Sequence, residues 1–255
     1  QTLLRDAPLA VGLAILALFP VAGFWSRWRQ EGGLQPKFAL SLLGSAYVLT
    51  FGALLLVTPD WTAPISAALL GLMLIGLLWK RQEESLLIAA WGGAAAALLS
   101  LVVTPAFESE LLMLGNEGEV EHAMRAAARW LAALLPFLAM SMLPLSDRSR
   151  WVSDGFAAAF AYGIIAQIVP GESLAWLAAL AALGFFVWRV ERIAAWAVFL
   201  VIAAFWSLLP VGLCLAAAIS ALIGEPFLSR GAVSYTDIAL RLVPLMAVSA
   251  FIVWR

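Results

Sequence analysis

The chain has 255 residues, 64% of them hydrophobic and only 12% charged, against roughly 45–50% apolar and 25% charged in soluble domains. A formal net charge of -1 gives no reason for a nucleic-acid partner or a polybasic lipid clamp, and one cysteine, Cys214, excludes an internal disulfide framework. The composition suits a lipid solvent, where backbone amides find no water and a spanning segment must be a helix or part of a closed barrel.

The apolar runs are continuous, whereas barrel strands would alternate over about 10 residues. The chain is therefore read as all-α, a polytopic transmembrane helical bundle. In chain order the predicted spans are 7–25, 38–57, 61–79, 85–103, 126–143, 155–169, 174–188, 193–209 and 238–254. Each approaches the roughly 20 residues that a 30 Å hydrocarbon core requires. That makes nine helices, in a single transmembrane domain over 1–255. The chain begins at Gln1 and stops at Arg255, each close to an apolar run, and is read as a piece of a longer protein.

Two segments need separate treatment. The gap 104–125 is an outer acidic loop with Glu108, Glu110, Glu117, Glu119 and Glu121. Gly115-Asn116-Glu117-Gly118 in it is a turn signal. Glu121, Arg125 and Arg129 then recur every fourth residue, as on a short amphipathic helix that runs into the fifth span. The other segment is the apolar run 193–223, interrupted by Pro210. A straight helix over it would be about 46 Å long, too long for one crossing and too short for two. The expectation is a crossing that ends near Pro210, with 211–223 continuing as a kinked or re-entrant helix on the outer side. The alternative is a ten-helix layout.

Ten of the fifteen lysines and arginines fall in the gaps after spans one, three, five and seven or at the C-terminus. The positive-inside rule puts those gaps in the cytoplasm and the N-terminus outside. Trp25, Trp28, Trp61, Trp79, Trp130, Trp151, Trp188 and Trp254 stand at span ends, where amphipathic rings prefer the headgroup level. Cys214 reads as a small buried hydrophobe.

A hairpin pattern recurs weakly. Trp79-Lys80-Arg81 leads to Ala89-Ala90-Trp91 as Trp188-Arg189 leads to Ala194-Ala195-Trp196, and Val57-Thr58-Pro59 is echoed by Val103-Thr104-Pro105. Ala89, Gly93 and Ala97 form a small-residue stripe that suits close helix packing. Pro136, Pro210 and Pro244 lie in or beside apolar helices, where each removes a backbone donor.

No ionisable residue lies in the middle of a predicted span, which argues against a carboxylate ion relay. Six residues form the candidate polar or anion sites. Gln167, Tyr162 and Ser207 could line a solute path, while Arg125, Arg129 and Arg241 lie about a turn from an outer end, where they can snorkel. Together the three guanidiniums could hold a diphosphate. The sole histidine, His122, has no spaced second ligand, so no metal is assigned. Phosphate-cradle, zincin and nucleophile-elbow motifs are absent, and no cofactor or catalytic residue is assigned.

The closing stretch Gly224-Glu225-Pro226-Phe227-Leu228, then Ile238-Ala239-Leu240-Arg241-Leu242-Val243-Pro244, resembles the C-terminal part of a family of large bacterial polytopic proteins known only as predicted membrane proteins. The resemblance covers about the last 70 residues and rests on low-complexity apolar sequence. It implies a bacterial inner membrane and a longer parent chain, and it brings no site residues.

The leading expectation is a non-enzymatic inner-membrane scaffold or subunit, whose partners are membrane lipids and other membrane subunits. The alternatives are a transporter of a neutral or amphipathic solute, and an outer-face transferase or ligase of lipid-linked glycans.

Overall fold

The computed structural model describes residues 6–28, 35–114, 120–188, 191–222 and 235–254. Ten α-helices account for nearly all of them, with no strand among the described residues: α1 (Ala7–Trp28), α2 (Pro36–Val57), α3 (Ala63–Lys80), α4 (Glu84–Val103), α5 (Ala106–Leu112), α6 (Val120–Ser141), α7 (Asp147–Ala166), α8 (Gly171–Trp188), α9 (Ile193–Leu222) and α10 (Tyr235–Trp254). A single 3-10 turn, Asp60–Thr62, leads into α3. The turn motif at 115–118, the stretch 224–228 and the bases Arg5, Arg29, Arg189, Arg230 and Arg255 lie outside the described residues.

Every predicted span falls largely on one of these helices, the third starting in the 3-10 turn and the fifth and sixth overrunning their helices by two and three residues, and α5 is the addition. Among the described residues seven are long and apolar enough to cross a membrane: α1, α2, α3 with its 3-10 turn, α4, α6, α8 and α9. α7 carries Asp147, Arg148, Arg150 and Asp154 in its first two turns, and the apolar part of α10, Ile238–Trp254, is shorter than the others.

The helix ends follow from local chemistry. Pro36 and Pro64 open α2 and α3, at positions where a missing N–H costs nothing. The two Val-Thr-Pro echoes are one capping device. The hydroxyl of Thr58 donates to Leu54 O at 2.7 Å, and that of Thr104 to Ser100 O at 2.6 Å. Both threonines have extended backbones, as a residue before proline is pushed to be, so each helix stops where its proline begins.

Prolines also stand inside helices. α9 is one helix of 30 residues running through Pro210, so the chain stays helical beyond it, as expected for 211–223. Pro20, Pro136, Pro210 and Pro244 all lie inside helices and are all buried. Proline removes a single donor per site, and packing against neighbouring helices compensates for that loss in apolar helices. Beyond Pro210, residues 211–216 are exposed, and Cys214 among them is exposed rather than buried.

The chain divides into two compact units, the first holding α1–α6 and the second α7–α10. In the first, the hairpin α3–α4 is the tightest pairing, and α6 packs on both of its helices. The face of α4 turned inward is Leu86, Ala90, Gly93, Ala94, Ala97 and Leu101. It shares Gly93 and Ala97 with the predicted stripe and is centred one residue further on. In the second unit α8 and α9 form the corresponding hairpin, with α7 packed on α9, and α10 on both α8 and α9. Its core is made mainly of alanines around Tyr162, Leu174, Phe199 and Val248. The second tryptophan of each hairpin turns to protein: Trp91 meets Phe137 at 6.3 Å, and Trp196 meets Phe186 at 5.7 Å between ring centroids.

Candidate functional site

Charges buried inside an apolar helical protein are the first place to look for function, because each is costly unless paired. Among its described residues the first unit holds one such group. After the Thr104-Pro105 stop, the short helix α5 brings Glu110 back against α6, and Glu110, Arg129 and Trp130 are all buried. The Arg129 guanidinium donates to Glu110 Oε1 through Nη2. The Trp130 indole N–H donates to Glu110 Oε2 at 2.9 Å, and its ring stacks on Phe107 with centroids 5.8 Å apart. Both carboxylate oxygens are thus engaged, while Nε of Arg129 has no hydrogen-bond partner.

This arrangement bears on two expectations. Arg129 does not snorkel outward; it turns in and meets an acid nineteen residues earlier. Trp130 is buried within the protein, whereas Trp79, Trp188 and Trp254 are exposed. The amphipathic helix into the fifth span is present as the start of α6, where Arg125 and His122 are exposed.

The second unit has its own buried acid. Asp154, in the second turn of α7, accepts from Nη1 of Arg192, the residue before α9. Asp154 is buried, whereas Arg192 remains partly exposed. Asp154 Oδ2 has no hydrogen-bond partner. Further along the same two helices Tyr162 meets Phe199 edge-on at 6.4 Å, so α7 and α9 run in the same direction.

The six sequence candidates fare unequally. The Tyr162 hydroxyl donates to Leu174 O at 2.8 Å and ties α7 to α8, as Tyr47 ties α2 to α3 through Ala67 O at 3.0 Å. Gln167 is buried just past the end of α7. Ser207 is fully buried, and its hydroxyl finds no partner. Arg125 and Arg129 stand on successive turns of one face of α6, the first exposed and the second buried. Arg241 is half-buried on α10 in the second unit. Among the described residues no three His, Cys, Asp or Glu side chains gather to hold a metal.

Tyr162→Phe should lower stability by about 1 kcal/mol, the usual net worth of one internal hydrogen bond. The check is unfolding of the purified protein by denaturing detergent, and an unchanged midpoint would show that the Leu174 bond contributes nothing.

The described residues of the first unit line cavities of two kinds. One of about 300 Å³ sits beside the α3–α4 turn, near Glu83, Glu84 and Pro144. The other, of about 590 Å³, lies between α1, α2 and α3 and is almost wholly apolar.

No protein-family model matches the chain, and neither a curated protein nor a solved structure is significantly similar to it.

Proposed function

We propose that the protein is a multi-pass bacterial inner-membrane protein that acts as a non-enzymatic scaffold or subunit of an envelope assembly, with its N-terminus outside and its C-terminus in the cytoplasm. The observation that carries this reading is the use made of buried charge. Glu110 with Arg129 joins α5 to α6, and Asp154 with Arg192 joins α7 to the residue that precedes α9. A relay or catalytic centre would instead leave an ionisable group facing a cavity or substrate. The Arg129 fork that an outer-face diphosphate would require is held by Glu110, which weighs against a transferase. The resemblance in the last 70 or so residues to large predicted membrane proteins supports the same reading, as a parent chain of many helices offers wide lateral surface for partners.

A solute path through the second unit is the other reading, and the partnerless Ser207 hydroxyl and Trp196 indole N–H are what favour it. Native gel electrophoresis of membranes solubilised in mild detergents separates the two. A scaffold should migrate in an assembly well above its own mass. Migration as a monomer in every detergent, together with solute counterflow in proteoliposomes, would overturn the scaffold reading in favour of transport.

A further inference from the structure

The larger cavity of the first unit has the form of a lipid site. α2 packs closely on α1, and the space left between α1 and α3 is floored by α2 residues such as Tyr47. On α3 the lining runs from Leu70 to Lys80. Ten residues of helix rise about 15 Å, half the thickness of a roughly 30 Å hydrocarbon core. The depth is therefore that of one leaflet.

The ends of this groove differ. At the Leu70 end the lining carries no charge. At the other end stand Lys80 and Trp25, a cation and an amphipathic ring at the level where headgroups lie. A second cation is adjacent: the Arg81 guanidinium lies 4.5 Å from the centroid of the Trp28 ring, which in turn packs on cavity-lining Phe24 at 5.1 Å. Arg81 also faces Glu83 at 3.7 Å, so Lys80 is the better anion ligand of the two. The side is open as well, since Met73 in the lining is 68% exposed. A molecule with one apolar chain in the groove could keep a second chain in the bilayer.

We infer that this groove binds one acyl chain of an anionic glycerophospholipid, with the phosphate on Lys80 beside Trp25. The inference rests on the membrane reading above but not on the scaffold role. Charge complementarity selects the headgroup, because basic pockets between membrane helices hold anionic lipids. The leaflet-deep apolar length selects a membrane lipid over a soluble phosphate.

Gly76 supplies the test. It lines the cavity, and a Cβ added to it meets nothing within 4 Å, so a Gly76→Phe side chain starts from open space at the cavity wall. The full chain, purified in mild detergent, is mixed with dioleoyl phosphatidylglycerol or dioleoyl phosphatidylcholine, and retained lipid is read by native mass spectrometry. The wild type should retain phosphatidylglycerol about fivefold better, the ratio expected for one basic group near a lipid phosphate. Lys80→Gln should make the two lipids equal, and Gly76→Phe should abolish retention of both with the melting temperature unchanged. If Gly76→Phe fails to fold, Lys80→Gln at its exposed position carries the test. Equal retention of the two lipids by the wild type, or preference surviving Lys80→Gln, would overturn the proposal; so would retention surviving in a folded Gly76→Phe protein. Carbonate extraction of cell membranes tests the underlying reading separately, because a protein released to the aqueous phase is not membrane-spanning whatever it binds in detergent.

Discussion

Glu110→Ala is expected to lower stability by about 3–5 kcal/mol, because it leaves the buried Arg129 charge without its partner. Both Glu110 oxygens are engaged, one by Arg129 and one by Trp130. The substitution therefore strands a guanidinium and an indole N–H together. The expected fall in melting temperature is on the order of 10 °C for a chain of this size. The damage should also be local. α5 is a single short helix with little other packing, so amide exchange over 106–112 should rise well before that of α3 or α4. Adding Arg129→Met should recover most of the loss, since a buried ion pair replaced by apolar groups is often neutral. A Glu110→Ala protein within about 1 kcal/mol of wild type, or a double variant no better than the single, would show that the pair is not what docks α5.

This pair shows where a reading of the sequence stops. Hydropathy located every long helix because the energetic penalty for a charge in hydrocarbon is large, and it acts on each segment alone. Burial of Glu110 depends on something else. The chain must turn at Thr104-Pro105 and return to α6, and nothing in the spacing of five acids in a loop distinguishes the one that goes inside. Asp154 escaped for a related reason: it stands one residue before the predicted span 155–169, where an acid is ordinarily solvated. Trp130 carried the same signal as the interface tryptophans, but its indole N–H has a carboxylate within the protein. Ser207 and Gln167 were singled out as polar atoms in apolar surroundings, and both are buried. That the chain stays helical beyond Pro210 was legible, because the apolar run continues to 223, and the buried proline loses only one donor among packed neighbours.

Gly93→Leu should be the most disruptive single change on the α3–α4 hairpin. A Cβ built on Gly93 would lie 2.7 Å from Gly71 Cα, and one on Gly71 would lie 3.1 Å from the Gly93 carbonyl carbon. The obstacle on each side is backbone, which cannot swing away as the tip of a side chain can. In a lipid solvent helices gain no hydrophobic energy from pairing, so their association relies on close contact that small residues allow. Even Gly93→Ala should therefore cost about 1–3 kcal/mol, the usual penalty for overpacking, despite alanine's better helix propensity. Leucine should separate the helices and disturb α6, which packs on both. Gly92, one residue earlier, provides the control. It is exposed, and a Cβ there meets nothing within 4 Å, so Gly92→Ala should be neutral or stabilising by up to about 1 kcal/mol. Unfolding by denaturing detergent, followed in parallel for the two alanine variants, should move the midpoint in opposite directions or leave Gly92→Ala unmoved. If the two variants shift alike, the Gly71–Gly93 contact does not hold the hairpin, and the inward face of α4 is set by the alanines alone.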